Sequence, residues 1–185
     1  MAQLFMRIRG IDDIKGASEI KGDAQLSKGG SAIEIDSISW GVERGITMDV
    51  GNGNNNDEGA ITDNQVTITK KIDGISPSLM TLLFKPVKGR VVDFIFTVPK
   101  KTGAGVQQQY VLTLDGAKIV NYSVDTEIDE EEEEGSVPTE EVVFTSESIV
   151  SAFYPTSIDG TFGDPSPDMV SFNYETSELE AGTAI

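Results

Sequence analysis

This chain of 185 residues predicts a mainly β fold: a small β-barrel of two packed sheets, one short flanking α-helix and a long extended β-hairpin loop. Three observations carry that prediction. Apolar residues recur at every second position in one segment after another, and only one segment shows helical spacing. A glycine- and asparagine-rich stretch, longer than a compact domain ordinarily keeps, separates two of the strands.

Leu4, Met6 and Ile8 alternate with Phe5, Arg7 and Arg9, so a strand starts almost at once. Ile33 and Ile35 share one parity, whereas Ile38 and Trp40 share the other, with Ser37 and Ser39 between them. Either a bulge near Asp36 switches the faces, or the strand is buried on both sides in an assembly. Ile38 and Trp40 are expected to point inward. Val66, Ile68 and Ile72 then form the apolar face of a strand whose other face carries Thr67, Thr69 and Lys71. Ser76 is placed to cap a helix, Pro77 suits its first turn, and Leu79, Met80, Leu82 and Leu83 give its apolar stripe before Pro86. Val92, Phe94, Phe96 and Val98 define another strand, which Pro99 ends. Tyr110, Leu112 and Leu114 define the next, followed by Asp115-Gly116 as a turn or bulge signal. Residues 141–154 are rich in Val, Phe and Ile, Asp164 to Pro167 reads as a rigid turn, and Val170, Phe172 and Tyr174 alternate near the end. The expected core includes Trp40, Leu79, Leu83, Phe94 and Phe96. Residues 1–176 are expected to form one domain and 177–185 an acidic, flexible tail.

Residues 42–62 read VERGITMDVGNGNNNDEGAIT. Glycine and asparagine favour turns and positive φ, and few large apolar groups anchor the middle of the stretch. It reads either as a surface hairpin loop or as something more specific. Ile46, Met48 and Val50 alternate with Thr47 and Asp49, as in a strand with one apolar face, and that face needs a partner. If the domain's own core does not supply it, a neighbouring copy must. The expected intersubunit arm therefore comprises Val42, Arg44, Ile46, Met48, Val50, Gly51, Gly53, Gly59 and Ile61.

Composition narrows the chemistry. The chain has no cysteine and no histidine, which removes thiol nucleophiles, thiolate metal sites, disulfides and the commonest general base together. No enzymatic activity, cofactor or metal site is expected. The net charge of −17 lies wholly in the final third: residues 1–118 hold all 14 Lys and Arg against 14 Asp and Glu, and residues 119–185 hold 17 acids and no base. Nucleic acid and anionic membranes are therefore disfavoured as partners. No signal peptide and no apolar run of spanning length is read, so the expectation is a soluble cytoplasmic protein that, if it leaves the cell, does so by a route that reads no cleavable leader.

Other motifs have ordinary explanations. The run from Asp129 to Glu134 offers carboxylates to calcium but lacks alternating ligand spacing around a fixed glycine, and such blocks usually stay solvated. Gly51-Asn52-Gly53 lacks the Lys-Ser/Thr that a phosphate loop needs. A calcium- or carbohydrate-binding β-module is the alternative that the acids and the aromatics Tyr154, Phe162 and Tyr174 suggest.

Several motifs in order resemble one family. Ile35-Asp36, Ser39-Trp40-Gly41, the glycine-rich loop with Met48, the strand Val66 to Lys70 with Ile72-Asp73, Ser76-Pro77-Ser78-Leu79-Met80, and the later Thr139-Glu140-Glu141-Val142 are similar to the hemolysin-coregulated protein family, Hcp. These are tube subunits of bacterial type VI secretion systems. The acidic run and tail depart from the family pattern. The resemblance implies a β-barrel that forms hexameric rings stacking into a hollow tube, with effector proteins carried in the lumen and the spike and sheath as further partners. Phage tail tube proteins look similar in fold. On this view the arm lies on a neighbour, and Ser37 and Ser39 are candidates to face the lumen. Six copies at −17 give a ring near −102, so charge alone predicts weak stacking, lengthened by shortening the Glu130 to Glu134 run.

Overall fold

The computed structural model describes residues 3–10, 32–44, 61–85, 88–99, 106–126, 138–154 and 168–182. Its strands are β1 (Gln3–Ile8), β2 (Ile33–Glu34), β3 (Ser37–Arg44), β4 (Ile61–Lys71), β5 (Arg90–Pro99), β6 (Val106–Asp125), β7 (Thr139–Thr145), β8 (Ser148–Phe153), β9 (Asp168–Asn173) and β10 (Glu178–Gly182), with one helix, α1 (Ser76–Phe84), after β4. One sheet runs β10-β9-β8-β6-β5-β1-β2 and the other β3-β4-β7-β6, all antiparallel.

β6 belongs to both sheets because it bends. Up to Ala117 it pairs with β5, and from Lys118 it pairs with β7. Gly116 lies at the register shift between Leu114 and Ala117, with φ +65, a conformation that costs an L side chain about 1–2 kcal/mol. A Cβ on Gly89 would lie 2.4 Å from the backbone of Gly116, so both glycines are required for the strands to approach at this corner. Asp115-Gly116 thus bends the strand and does not reverse it. β7 and β8 change sheets beside it, where Glu147 N donates to Asp115 O at 2.9 Å.

The core lies between the sheets. Met6, Val92, Phe94, Leu112 and Leu114 from the first meet Val66, Ile68, Val142 and Phe144 from the second. Phe94 and Phe144 bridge the layers edge to face, with ring centroids 5.8 Å apart. Leu79 of α1 is fully buried, and Leu82 and Leu83 pack partly against the same cluster, so the helix stripe predicted from spacing faces inward. Phe96 is half-buried against Tyr110.

The structure departs from expectation at four places. The described strands form an open arrangement of two sheets, and no ladder joins β2 to β3 to close a barrel. The parity switch near Asp36 is not a bulge there. The chain crosses between sheets, with Ile35 N donating to Leu4 O at 3.1 Å and Asp36 N to Thr69 O at 2.8 Å. Trp40, expected in the core, is 39% exposed, because it lies where β3 runs past the edge of the second layer. Finally, residues 178–182, expected in a tail, pair as β10 with β9 through a turn in which Asn173 Oδ1 accepts from Glu175 N and Thr176 N.

Candidate assembly surface

β4 pairs with β7 only from Val66 to Lys71. Its earlier residues pair with β3 alone, from Gly41 opposite Asn64 to Arg44 opposite Ile61. A two-stranded ribbon therefore leaves the sheet. The register shifts between Ser39 and Gly41, Trp40 of β3 standing against Gln65 and Val66 of β4, and such a bulge increases twist and re-aims a strand. Trp40 and Val42, 39% and 45% exposed, lie at the neck, where among the described residues no second layer continues beneath them. Burying the bare part of Trp40, roughly 100 Å2, against a partner would contribute about 2–3 kcal/mol.

Of the arm residues named from sequence, Val42, Arg44 and Ile61 lie in this ribbon. Ile46, Met48, Val50, Gly51, Gly53 and Gly59 lie outside the described residues, as does the Glu130 to Glu134 run. Ser37 and Ser39 are exposed on the same side of β3, opposite Thr69 and Thr67. Ser37 Oγ and Thr69 Oγ1 hydrogen bond at 2.6 Å, so this face presents small hydroxyls.

A buried ionic cluster ties the C-terminal end of β4 to the turn before the helix. Lys70 shares the inward parity of Val66 and Ile68 and is 1% exposed. Its Nζ donates to Glu140 Oε1 at 2.7 Å, Lys71 O at 2.7 Å and Asp73 Oδ1 at 2.9 Å. Tyr122 Oη donates to Glu140 Oε2. Burial first, then the hydrogen bond to Glu140 and its charge, push the Tyr122 phenol up to about 12. Asp73 Oδ1 also accepts from Ile75 N at 3.0 Å, while Ser76 Oγ accepts from Asp73 N at 3.0 Å. Ser76 therefore stabilises the turn before α1 and does not cap the helix, which has no side-chain cap. Sequence reading missed this cluster. The signal was parity, since a lysine continuing an inward face must find a carboxylate.

The opposite face of the first sheet carries a second cluster. Asp93 on β5 is fully buried and accepts from Arg7 of β1 and Arg9 just after it at 2.7–2.9 Å, and from Thr113 of β6 at 2.9 Å. Burial pushes the Asp93 carboxyl up, but the hydrogen bonds from Arg9 and Arg7 outweigh it and hold the carboxyl below its usual range. Among the described residues no acidic group is arranged to hold a metal ion, and no helix is long and apolar enough to cross a membrane.

The fold and surface define an antiparallel two-sheet β domain with one packed helix and an edge ribbon projecting from the smaller sheet. The chain belongs to the Hcp family of type VI secretion: the family model for the type VI secretion system effector Hcp matches residues 5–179. Among solved structures, one described as a type six secretion system protein superposes with a TM-score of 0.73 at 15% identity, covering 97% of this chain and all of that one. Hcp1 from Salmonella typhimurium gives 0.64 at 16% identity, with 97% and 99% of the two chains covered. A further Hcp protein gives 0.63 at 16%, covering 92% and 99%. These likenesses establish the fold. No curated protein matches significantly by sequence.

Proposed function

We propose that this chain is a structural tube subunit: copies close into hexameric rings, rings stack into a hollow tube, and the tube is exported by the secretion machine with effector proteins in its lumen. Family membership supports the class. The observation that carries the reading for this chain is the ribbon, whose strands leave the sheet with Trp40 and Val42 bare. An open edge with apolar side chains is a liability in a solitary protein and an interface in an assembled one. Contacts of a ribbon with a different surface on its neighbour are heterologous, and such contacts give rings where the rotation closes and filaments where it does not. No catalytic step is needed. The remaining arm residues, from Ile46 to Gly59, continue this contact, and the spike and sheath are its partners in the machine.

Light scattering after size exclusion tests the reading. Six copies of 19.9 kDa give about 119 kDa, and rings of that mass should be visible by electron microscopy. Trp40→Ser with Val42→Ser, or deletion of residues 51–59, should leave folded monomers. A wild-type chain that runs as a 19.9 kDa monomer at all concentrations defeats the proposal. The hydroxyl face of Ser37 and Ser39 is assigned to the lumen. A large substitution at Ser39 should lower effector stability with rings intact, whereas loss of the rings would place Ser39 at an interface instead.

A further inference from the structure

A cavity of about 560 Å3 opens between the C-terminal end of α1 and the corner where β6 bends between the sheets. Its floor is apolar, formed by Ile8, Leu82, Val92 and Phe144. Among the described residues its rim is cationic: Lys85, Lys88, Arg90 and Lys118 surround it, with one carboxylate, that of Glu147. Glu147 stands 3.6 Å from Lys118, which leaves three of the four cations without a carboxylate among the described rim residues. Arg90 uses Nη1 on Gly10 O at 3.1 Å, while its buried Nε has no hydrogen-bond partner. An apolar floor within a cationic rim fits an acidic peptide that also carries an aliphatic side chain.

The chain contains one such segment, 127–137, reading EIDEEEEEGSV, in which Ile128 and Val137 flank the acids. It joins β6 to β7, and those strands place its two ends far from the cavity. Lys118 is at the rim and Asp125 ends β6 seven residues on, roughly 23 Å at about 3.3 Å per residue. Thirteen residues separate Asp125 from Thr139. Running out and back fully extended at about 3.5 Å each, they would only just span that distance, with no slack to form contacts. The cationic cavity and the residues that bracket the acidic segment, Asp125 and Thr139, thus lie at opposite ends of the paired β6 and β7. We propose that the cavity receives segment 127–137 of a second copy, stacked head to tail. This inference rests on the tube reading and names a contact between its rings. It also reverses the expectation from net charge, since shortening the acidic run would now weaken stacking.

Two measurements test it. A fluorescein-labelled peptide of residues 126–138 is titrated with the full-length chain at low ionic strength and followed by anisotropy. Saturable binding is expected, weakened by salt and reduced at least tenfold by Lys85→Glu with Lys88→Glu. Both lysines are exposed, so circular dichroism should show an unchanged fold. Absence of binding, or binding indifferent to the two reversals, overturns the proposal. In parallel, replacement of Glu130 to Glu134 by Gln should shorten tubes seen by electron microscopy, and longer tubes would show that self-repulsion governs stacking and the proposed contact is wrong. Ring formation in the same samples reports separately on the tube reading. Peptide binding by a chain that forms no rings removes that reading and the stacking built on it, while rings without peptide binding remove only this contact.

Discussion

Lys70→Met should be among the most damaging single changes in this chain. Lys70 and Glu140 are 1% and 0% exposed, and the lysine ammonium holds three acceptors, on Glu140, Asp73 and the Lys71 carbonyl. Methionine keeps the length and removes the charge. It leaves a buried carboxylate whose remaining donor is the Tyr122 hydroxyl. Breaking a buried pair from one side costs about 3–5 kcal/mol, because the surviving charge is left uncompensated. For a domain of this size that corresponds to a fall in Tm of roughly 6–20 °C, a large share of a typical total stability. Urea unfolding followed by far-UV circular dichroism measures it, at one fixed protein concentration because assembly makes apparent stability concentration-dependent. Lys70→Met with Glu140→Leu should recover at least half of the loss, since an apolar pair of similar volume carries no buried charge. A single-variant loss below about 1 kcal/mol, on the scale of a solvent-exposed pair, would refute the reasoning. So would a double variant as unstable as the two single losses added together.

The other predictions concern pH, the corner and the ribbon. The Asp93 carboxyl is held below its ordinary 3.8, so its contribution is present above that pH and lost as pH falls through the folded value. Asp93→Asn should lower stability at pH 7 and flatten the acid limb of the stability profile, and an acid limb equal to wild type would exclude Asp93 as its source. Tyr122 is raised from 10.0 to about 12, so the stabilisation tied to its protonated form is complete below pH 10 and lost as pH rises towards 12. Tyr122→Phe should lack that alkaline loss, and a variant that keeps it would assign the loss elsewhere. Gly89→Ala should destabilise more than Gly116→Ala in thermal melts. The new Cβ at 89 meets backbone at 2.4 Å, whereas at 116 it meets the movable Glu147 carboxyl and pays a positive-φ cost of about 1–2 kcal/mol; equal losses would contradict the corner as described. Trp40 is the only tryptophan, so its emission should shift to the blue when monomers assemble. Unchanged emission through assembly would leave Trp40 outside any interface.

Much of the fold was legible because an antiparallel strand packed on one side writes its burial in alternate letters. Val66 and Ile68, Val92 and Phe94, and Leu112 and Leu114 all lie in the core as their spacing required. Leu79 and Leu83, four residues apart on a helix, face the same cluster. The parity rule failed where a strand is covered on both sides. Asp93, Ile95 and Thr97 are 0%, 1% and 1% exposed on the face opposite Phe94, and the arginines over Asp93 read in sequence as ordinary solvent-facing residues. It failed again at Ile35-Asp36, where the chain changes sheets, because a change of partner and a bulge leave the same shift of parity. The Glu178–Gly182 strand was hidden for a different reason. Its sequence is acidic, its residues 178–181 lie exposed, and among the described residues it is pairing with β9 that holds it.

Trp40 shows which state the sequence describes. Its parity matches that of Ile38, which packs against the core, yet Trp40 itself is exposed at the neck of the ribbon. A solitary chain gains nothing from a large apolar ring at that position. Where β3 and β4 run beyond β7, the inward face of the strand meets no inner layer among the described residues, while apolar residues recur on that parity at Val42 and, past Arg44, at Ile46, Met48 and Val50 in the sequence. A face that stays apolar after its own domain ends is explained if the covering layer belongs to another copy. On the tube reading, the inward assignment of Trp40 therefore applies to the assembled ring, and its exposure applies to the separate subunit. The same reasoning separates it from Lys70, whose inward parity is satisfied within the chain by Glu140 and Asp73. At the end of β4 away from the ribbon an inward position is locked to its own domain, and at the neck of the ribbon one is left open to a neighbour.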